Sequence, residues 1–276
     1  MELRVGFWNA RGKRPELLEQ AGSVVRALVA ERSLDVLALV EVEPGAMPSA
    51  GDGWSGIEIT DAEGRSRWDA AVLFKPDAVE VVEHRRVVKL WNERHLRIAV
   101  DVELRVRAVS APLRLLVSHW PSPTGGAVEH AKFVRGLHEL AAPNGAPERP
   151  TVLMGDYNVE PFDHAYGGLD TTRDRALASR RPSLFYNLAW RWLGTWSASG
   201  AAGTYRYPAD PHTQWRTLDQ VLVSTHLLRE GPLRLLDGEV VERAGEHDIV
   251  RLGFDHLPVV AAFEAGDTAG EEASDG

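Results

Sequence analysis

Leu3, Val5 and Phe7 alternate with Arg4 and Gly6, and this period of two predicts a strand ending at Trp8 and Asn9. From Pro15, a residue suited to the first turn of a helix, the period changes: Leu17, Leu18, Ala21, Val24, Val25, Leu28 and Val29 recur at helical spacing. LDVLALVE, residues 34–41, is then a continuous apolar run ending in acid. Strand, helix, strand in that order predicts a layered α/β core. Further strands are predicted at 67–74 (RWDAAVLF), 96–104 (LRIAVDVEL), 113–119 (LRLLVSH), 151–156 (TVLMGD), 218–224 (LDQVLVS) and 257–263 (LPVVAAF). A second helix fits 128–142, with Val134, Leu137 and Ala141 on one face.

Proline and glycine place loops at 47–56 and 143–150, and no internal repeat is visible. Residues 162–217 lack a clear period. Their aromatic content argues against disorder, so a functional role is expected for so long a connection. Within it Trp190, Trp192 and Trp196 read as a core helix, while Tyr205, Arg206, Trp215 and Arg216 are candidates to stack a base or grip phosphate. With no convincing linker, residues 1–265 read as one domain, and the small, acidic stretch 266–276 as a disordered tail.

Composition narrows the chemistry. The 276 residues are 44% hydrophobic and 26% charged, ordinary values for a soluble globular chain. No cysteine is present, which excludes disulfides and thiolate metal sites. Any metal must be held by oxygen or imidazole, and carboxylates favour Mg²⁺ or Mn²⁺. The start lacks signal-peptide features and no run approaches the roughly 20 apolar residues of a membrane span, so a cytoplasmic address, no membrane partner and a monomer are expected. A net charge of −9 argues against broad adhesion to a polyanion, while 31 Lys and Arg leave room for a local basic groove.

A polar residue of chemical use repeatedly sits at the end of an apolar run. Asn9 follows RVGFW, Glu41 follows VLALV, His119 follows LLVS, and Asp156 and Asn158 follow VLM; Asp219 opens DQVLV, and Asp255 with His256 precedes LPVV. Each has an ordinary reading taken alone: strand-end turns for Asn9, Asp156 and Asn158, a solvent boundary for Glu41, a surface position for His256, packing for His119. If the strands share two packed sheets, however, their ends converge and gather carboxylates, amides and imidazoles in one pocket. Clustered carboxylates repel, and a cation resolves the repulsion; Glu41 could be its principal direct ligand. An aspartate could activate water, an amide could hold it, and a histidine could stabilise developing negative charge, which are the needs of phosphoester hydrolysis.

The set Asn9 in FWN, Glu41 in LVEVEP, His119 in VSHWPS, Asp156 and Asn158 in GDYN, Asp219 in TLDQVLVS, and Asp255 with His256 in FDHLPV resembles, in order and context, the endonuclease/exonuclease/phosphatase superfamily with its DNase I-like fold. The resemblance runs from about residue 3 to about residue 263 and implies a four-layered α/β sandwich, with two packed mixed β-sheets flanked by helices, that cleaves phosphoesters with Mg²⁺ or Mn²⁺. It implies that Glu41 binds the metal with Asn9 and Asp255 nearby, that Asp156 activates water, that Asn158 orients it or the phosphate, and that His256, paired with Asp219, contacts the scissile phosphate. His119 resembles the family's other phosphate-side histidine. Arg11 departs from the pattern, because many members carry a small or acidic residue two after the asparagine. The implied partner is a nucleic acid, DNA or RNA and single strands included, or else a small phosphoester such as a nucleotide, inositol phosphate or lipid headgroup.

Overall fold

The computed structural model describes residues 1–11, 15–43, 45–59, 69–122, 127–193 and 201–266; Trp196 and the tail beyond Gly266 lie outside them. Among the described residues, seventeen strands and three α-helices follow one another. β1 (Glu2–Asn9) leads into α1 (Pro15–Glu31) and then β2 (Val36–Val42), β3 (Ser55–Ile59) and β4 (Asp69–Phe74). β5 (Val79–Trp91), β6 (Arg94–Val106) and β7 (Ala111–His119) precede α2 (Ala127–Ala141) and β8 (Thr151–Asp156). β9 (Thr171–Thr172), α3 (Arg175–Arg180), β10 (Phe185–Asn187), β11 (Tyr205–Arg206), β12 (Trp215–Arg216) and β13 (Asp219–Val223) come next. The chain closes with β14 (Leu233–Val240), β15 (Arg243–Ala244), β16 (His247–Asp248) and β17 (Val259–Ala265).

A six-stranded sheet, in the order β14-β17-β1-β2-β4-β3, faces a seven-stranded sheet, in the order β5-β6-β7-β8-β13-β10-β9. The apolar runs explain the layering. Along β2, Val36, Ala38 and Val40 point between the sheets while Leu37 and Leu39 point outward beneath Val24, Val25 and Leu28 of α1. β8 divides the same way, with Val152 and Met154 inward and Leu153 outward against Phe133, Val134 and Leu137 of α2. Strands covered on both faces need no polar alternation, so they appear in sequence as continuous hydrophobic stretches. Each fully buried Leu or Val in these layers contributes about 1.5–3 kcal/mol. The four-layered α/β sandwich expected from the sequence is what the chain forms.

Besides the two- and three-residue strands, β5, β14 and β3 escaped the pattern reading. β5 pairs with β6 in a long hairpin, but Val82, Val88 and Leu90 are exposed and Glu83 to Arg86 interrupt the alternation. β14 is broken by a register slip between Leu235 and Asp237, and β3 begins within the predicted 47–56 loop. Residues 162–217 break into short pieces, and the expected core helix around Trp190 and Trp192 is a single 3₁₀ turn, Leu188–Arg191. Trp192 is buried there, whereas Trp190 lies partly exposed beside Phe162 and under Arg173. No described helix is long and apolar enough to cross a membrane.

Candidate active site

Two parallel pairs, β1·β2 and β7·β8, bring the predicted polar residues to one edge of the sandwich. β1 runs parallel to β2 with Asn9 opposite Val40, next to Glu41. β7 runs parallel to β8 with His119 opposite Asp156, and β13, antiparallel to β8, sets Asp219 opposite Asp156 from the other side. Asp156 therefore stands in the middle of its sheet edge, between a histidine and a second aspartate. Gly155 makes the close parallel approach feasible: a Cβ there would lie 2.2 Å from the Ser118 carbonyl oxygen.

Asn9 ties the sheets together. Fully buried, its Nδ2 donates to Glu41 Oε1 at 3.3 Å and to Asp156 Oδ2 at 3.0 Å, while its Oδ1 accepts from the Arg11 amide at 3.2 Å. Glu41 reaches this position through a left-handed backbone, φ 55°, where the pairing of β2 with β4 slips between Leu39 and Val42. Such a conformation costs a non-glycine residue of order 1 kcal/mol and is held by its surroundings. His119 Nε2 lies 3.4 Å from Glu41 Oε1 and 3.9 Å from Asp156 Oδ2.

Asp156 and Asn158 make both a turn and a site. Asp156 Oδ1 accepts from the Asn158 amide at 3.0 Å, and Asn158, at φ 54°, adopts a left-handed conformation that asparagine tolerates. Its Nδ2 donates to the Trp120 carbonyl at 2.7 Å, and the Trp120 amide donates to the Asp156 carbonyl at 2.9 Å. Trp120 is in turn wedged edge-on against Tyr157, with ring centroids 4.8 Å apart. The turn that follows β8 is thus fixed by the core beneath it.

Opposite lies His256. Its Nδ1 is 2.9 Å from Asp219 Oδ2 and 3.1 Å from Oδ1, which leaves Nε2 3.7 Å from Asp156 Oδ2. Burial pushes the Asp219 carboxyl up to about 6, against the opposing pull of the His256 charge. For His256 burial works downward, but the charges of Asp219 and Asp156 outweigh it and raise the imidazole to about 9. Between those values the pair is carboxylate and imidazolium, and Nε2 carries a proton toward Asp156.

Thr204 and Tyr205, from the segment without periodicity, complete this wall. The Asp219 amide donates to Thr204 Oγ1 at 2.9 Å, and the Tyr205 ring lies 4.6 Å from the imidazole of His256, with Tyr207 stacked beyond it. Tyr205 was a candidate from sequence; Thr204 carried no signal beyond being a small polar residue beside it. Arg216 is paired with Asp210 at 2.9 Å, and Trp215 packs against the core beneath α1.

Asp255 is turned toward Arg11, with which it forms an ion pair. The Asn9 amide nitrogen, facing two carboxylates, acts as a donor that spaces them. Asp156, Asp219 and His256 offer ligand atoms all within 4.8 Å of one another, a buried acid and imidazole group that could hold a metal. His256 and Asp219 are hydrogen-bonded to each other, however, whereas Glu41 and Asp156 present two buried carboxylates to one amide. Oxygen donors of that kind suit a hard cation.

The Endonuclease/Exonuclease/phosphatase family matches residues 6–275 of the chain. Among solved structures, D. rerio TDP2 complexed with single-strand DNA product is similar at TM-score 0.66 and 15% identity, over 96% of this chain and 99% of that one. The human Nocturnin catalytic domain with bound sulfate anion is similar at TM-score 0.66 and 17% identity, over 96% and 95%. An endonuclease/exonuclease/phosphatase from Bacteroides vulgatus is similar at TM-score 0.63 and 16% identity, over 96% and 100%. A search of curated proteins finds no significant match.

Proposed function

Given that the chain belongs to the endonuclease/exonuclease/phosphatase family, whose members hydrolyse phosphoesters, we propose that it is a divalent-metal-dependent nuclease that cuts nucleic-acid phosphodiester bonds by activated-water attack. The observation that carries this reading is the buried chain of contacts Glu41, Asn9, Asp156, His256 and Asp219, which joins the two sheets at one edge. Mg²⁺ or Mn²⁺ would be held by Glu41, with Asn9 and Asp255 beside it, and when bound would neutralise charge on the phosphoryl oxygens.

In this reading Asp156 accepts the proton of the attacking water. Asn158, its Nδ2 committed to Trp120, orients that water through its carboxamide oxygen. The new P–O bond forms as the bond to the leaving oxygen breaks, and His256, protonated at Nε2 and braced by Asp219, donates a hydrogen bond to the phosphoryl group. His119 stands on the opposite side of the phosphate. Catalysis of this kind is chiefly positioning and electrostatics, which is what a buried, cross-braced cluster supplies. The chain acts as one domain over residues 1–265.

A second reading, a phosphatase or phosphodiesterase for a nucleotide, inositol phosphate or lipid headgroup, draws support from the net charge of −9, which disfavours a long polyanion. The TDP2 structure with single-strand DNA product and the Nocturnin structure with sulfate support ligands of either size. The test is hydrolysis of bis(p-nitrophenyl) phosphate with Mg²⁺ or Mn²⁺ and its loss with EDTA, followed by a panel of plasmid, single-stranded DNA, RNA and phosphomonoesters. Inertness toward every nucleic acid with turnover of a small phosphoester moves the assignment to the second reading. No turnover with any metal, or near-normal activity of Glu41→Gln, sinks the mechanism.

A further inference from the structure

Two tyrosines carry the edge of the site away from His256. Tyr205 pairs antiparallel with His256 through an isolated bridge, and its ring lies 4.6 Å from the imidazole. Tyr207 stands two residues further along, where its amide donates to the Gln214 carbonyl at 2.7 Å and continues the pairing of β11 with β12. Residues two apart on extended chain face the same side, and the two rings are parallel to within 15°, with centroids 6.4 Å apart. Burial does not account for the second ring: Tyr205 is half-buried against the histidine, whereas Tyr207 is 46% exposed.

The hairpin that bears them is fixed at both ends. At its base the Arg206 amide donates to the Asp255 carbonyl at 2.7 Å, and the Thr204 amide to the Arg216 carbonyl at 2.8 Å. At its turn Asp210 accepts from the amides of His212 and Thr213, both at 2.9 Å, and pairs with Arg216. A single exposed aromatic is ordinary on a protein surface. This one is held parallel to a ring that itself rests on a residue of the candidate site, and such a ring offers a π-face on which any base can stack. The spacing decides what kind of strand fits. Bases in a duplex follow one another at about 3.4 Å and cover each other's faces, whereas those of an unpaired strand can be splayed out onto side chains. The 6.4 Å between the rings is close to twice the duplex interval and matches the second case.

We propose that Tyr207, backed by Tyr205, is a stacking platform for a base of an unpaired strand, next to the phosphate that faces His256. The proposal rests on the phosphoesterase reading and narrows its substrate to a strand with accessible bases, as against a duplex or an ester without an aromatic ring. Because every base has a π-face, the platform adds affinity without selecting a sequence.

The probes are an oligothymidylate and an abasic strand of the same length, titrated into the protein in EDTA, where hydrolysis does not interfere, and followed by isothermal titration calorimetry. The two strands carry the same phosphates, so their ratio of affinities reads the bases alone. The base-bearing strand is expected to bind at least about fivefold more tightly, as the stacking of one base implies. Tyr207→Ala should bring the ratio toward unity and Tyr207→Phe should keep it, with the melting temperature little changed in either because the side chain is exposed. The same oligothymidylate annealed to oligoadenylate should bind more weakly than the free strand. Equal affinity for the two strands, binding of neither, a ratio that Tyr207→Ala leaves intact, or a duplex held as tightly as the free strand overturns the platform, whatever the protein does to diesters. A ratio that depends on Tyr207 without turnover of any phosphodiester under Mg²⁺ or Mn²⁺ leaves the platform standing and removes the hydrolytic reading instead.

Discussion

Replacing Asp219 by asparagine changes one charge and almost no volume, and its effect is set by His256. The imidazole is buried, which by itself would lower its pKa, yet the Asp219 and Asp156 charges raise it to about 9. The rise from 6.5 amounts to about 3 kcal/mol of preference for the imidazolium, at 1.36 kcal/mol per unit. In Asp219→Asn the amide oxygen can still accept from Nδ1, but burial is then opposed only by the charges of Asp156 and Glu41, and the imidazole pKa should fall. If the protonated Nε2 is what faces the phosphate, activity falls on the alkaline side as the pair gives up that proton. Asp219→Asn then moves the alkaline limb to lower pH, so the loss in kcat is greater at pH 8.5 than at pH 6.5. Bis(p-nitrophenyl) phosphate turnover, with quenched aliquots read at one alkaline pH, measures this directly. Stability gives a second readout in the metal-free protein. Both pKa values are raised on folding, so each group binds protons more tightly when folded, and its contribution fades as pH rises through 3.8 to 6 for Asp219 and 6.5 to 9 for His256. The fall in melting temperature between pH 6.5 and 9 should therefore flatten in Asp219→Asn. A variant losing the same factor in activity at every pH, with an unchanged alkaline limb, would refute this account of the pair.

Three further outcomes test other parts of the structure. Gly155→Ala should cost several kcal/mol or prevent folding, because the added methyl lies 2.2 Å from the backbone oxygen of Ser118 rather than against a side chain that could move; chemical denaturation measures it. Asp101→Asn should destabilise by about 2–3 kcal/mol, since it takes from Arg114 the carboxylate that two of its nitrogens bond at 2.8 and 2.9 Å and leaves only the more distant charges of Glu103 and Glu148. Burial alone would raise the Asp101 pKa, but Arg114 and Arg85 hold it below 3.8, so its contribution is present above that value and is lost as pH falls below it; Asp101→Asn should remove this part of the acid loss. Asn9→Ala takes away the amide between Glu41 and Asp156 and should lower kcat about 100-fold with the fold intact by circular dichroism; near-normal turnover would show that the bridge is not needed to position the two acids.

What could be read from the sequence follows the physics of burial. β1, β2, β7, β8, β13 and β17 are central strands covered on both faces, and their apolar runs were visible because nothing else competes for those positions. β5 was invisible for the opposite reason. It lies at the edge of its sheet, half exposed, and Glu83, His84, Arg85 and Arg86 erase the period of two. β9 to β12 are two- or three-residue pieces, too short to show any period; their geometry depends on partners such as Thr204 and Leu257, whose backbones are joined at 2.7 Å across more than fifty residues of chain.

The same division runs through the site. Asn9, Glu41, His119, Asp156 and Asp219 lie at the ends of central strands, so a chain that predicts those strands also predicts where their last polar residues meet. Glu41 shows how far that goes: the apolar run announces its position, but the slip between Leu39 and Val42 and the left-handed backbone that aim its carboxylate at Asn9 leave no mark in the pattern. Arg11 and Asp255 show the limit, since their pairing depends on the turn after β1 meeting the loop before β17. Arg86 lies on β5, which the pattern did not reveal, whereas Arg97 lies within the predicted strand 96–104. Chemistry that must be rigid is carried by buried elements with a strong periodic signal, and recognition is carried by exposed ones whose residues are free of that constraint. The family's reaction class is therefore legible from a single chain, whereas the course of the exposed edge strands emerges only from the fold.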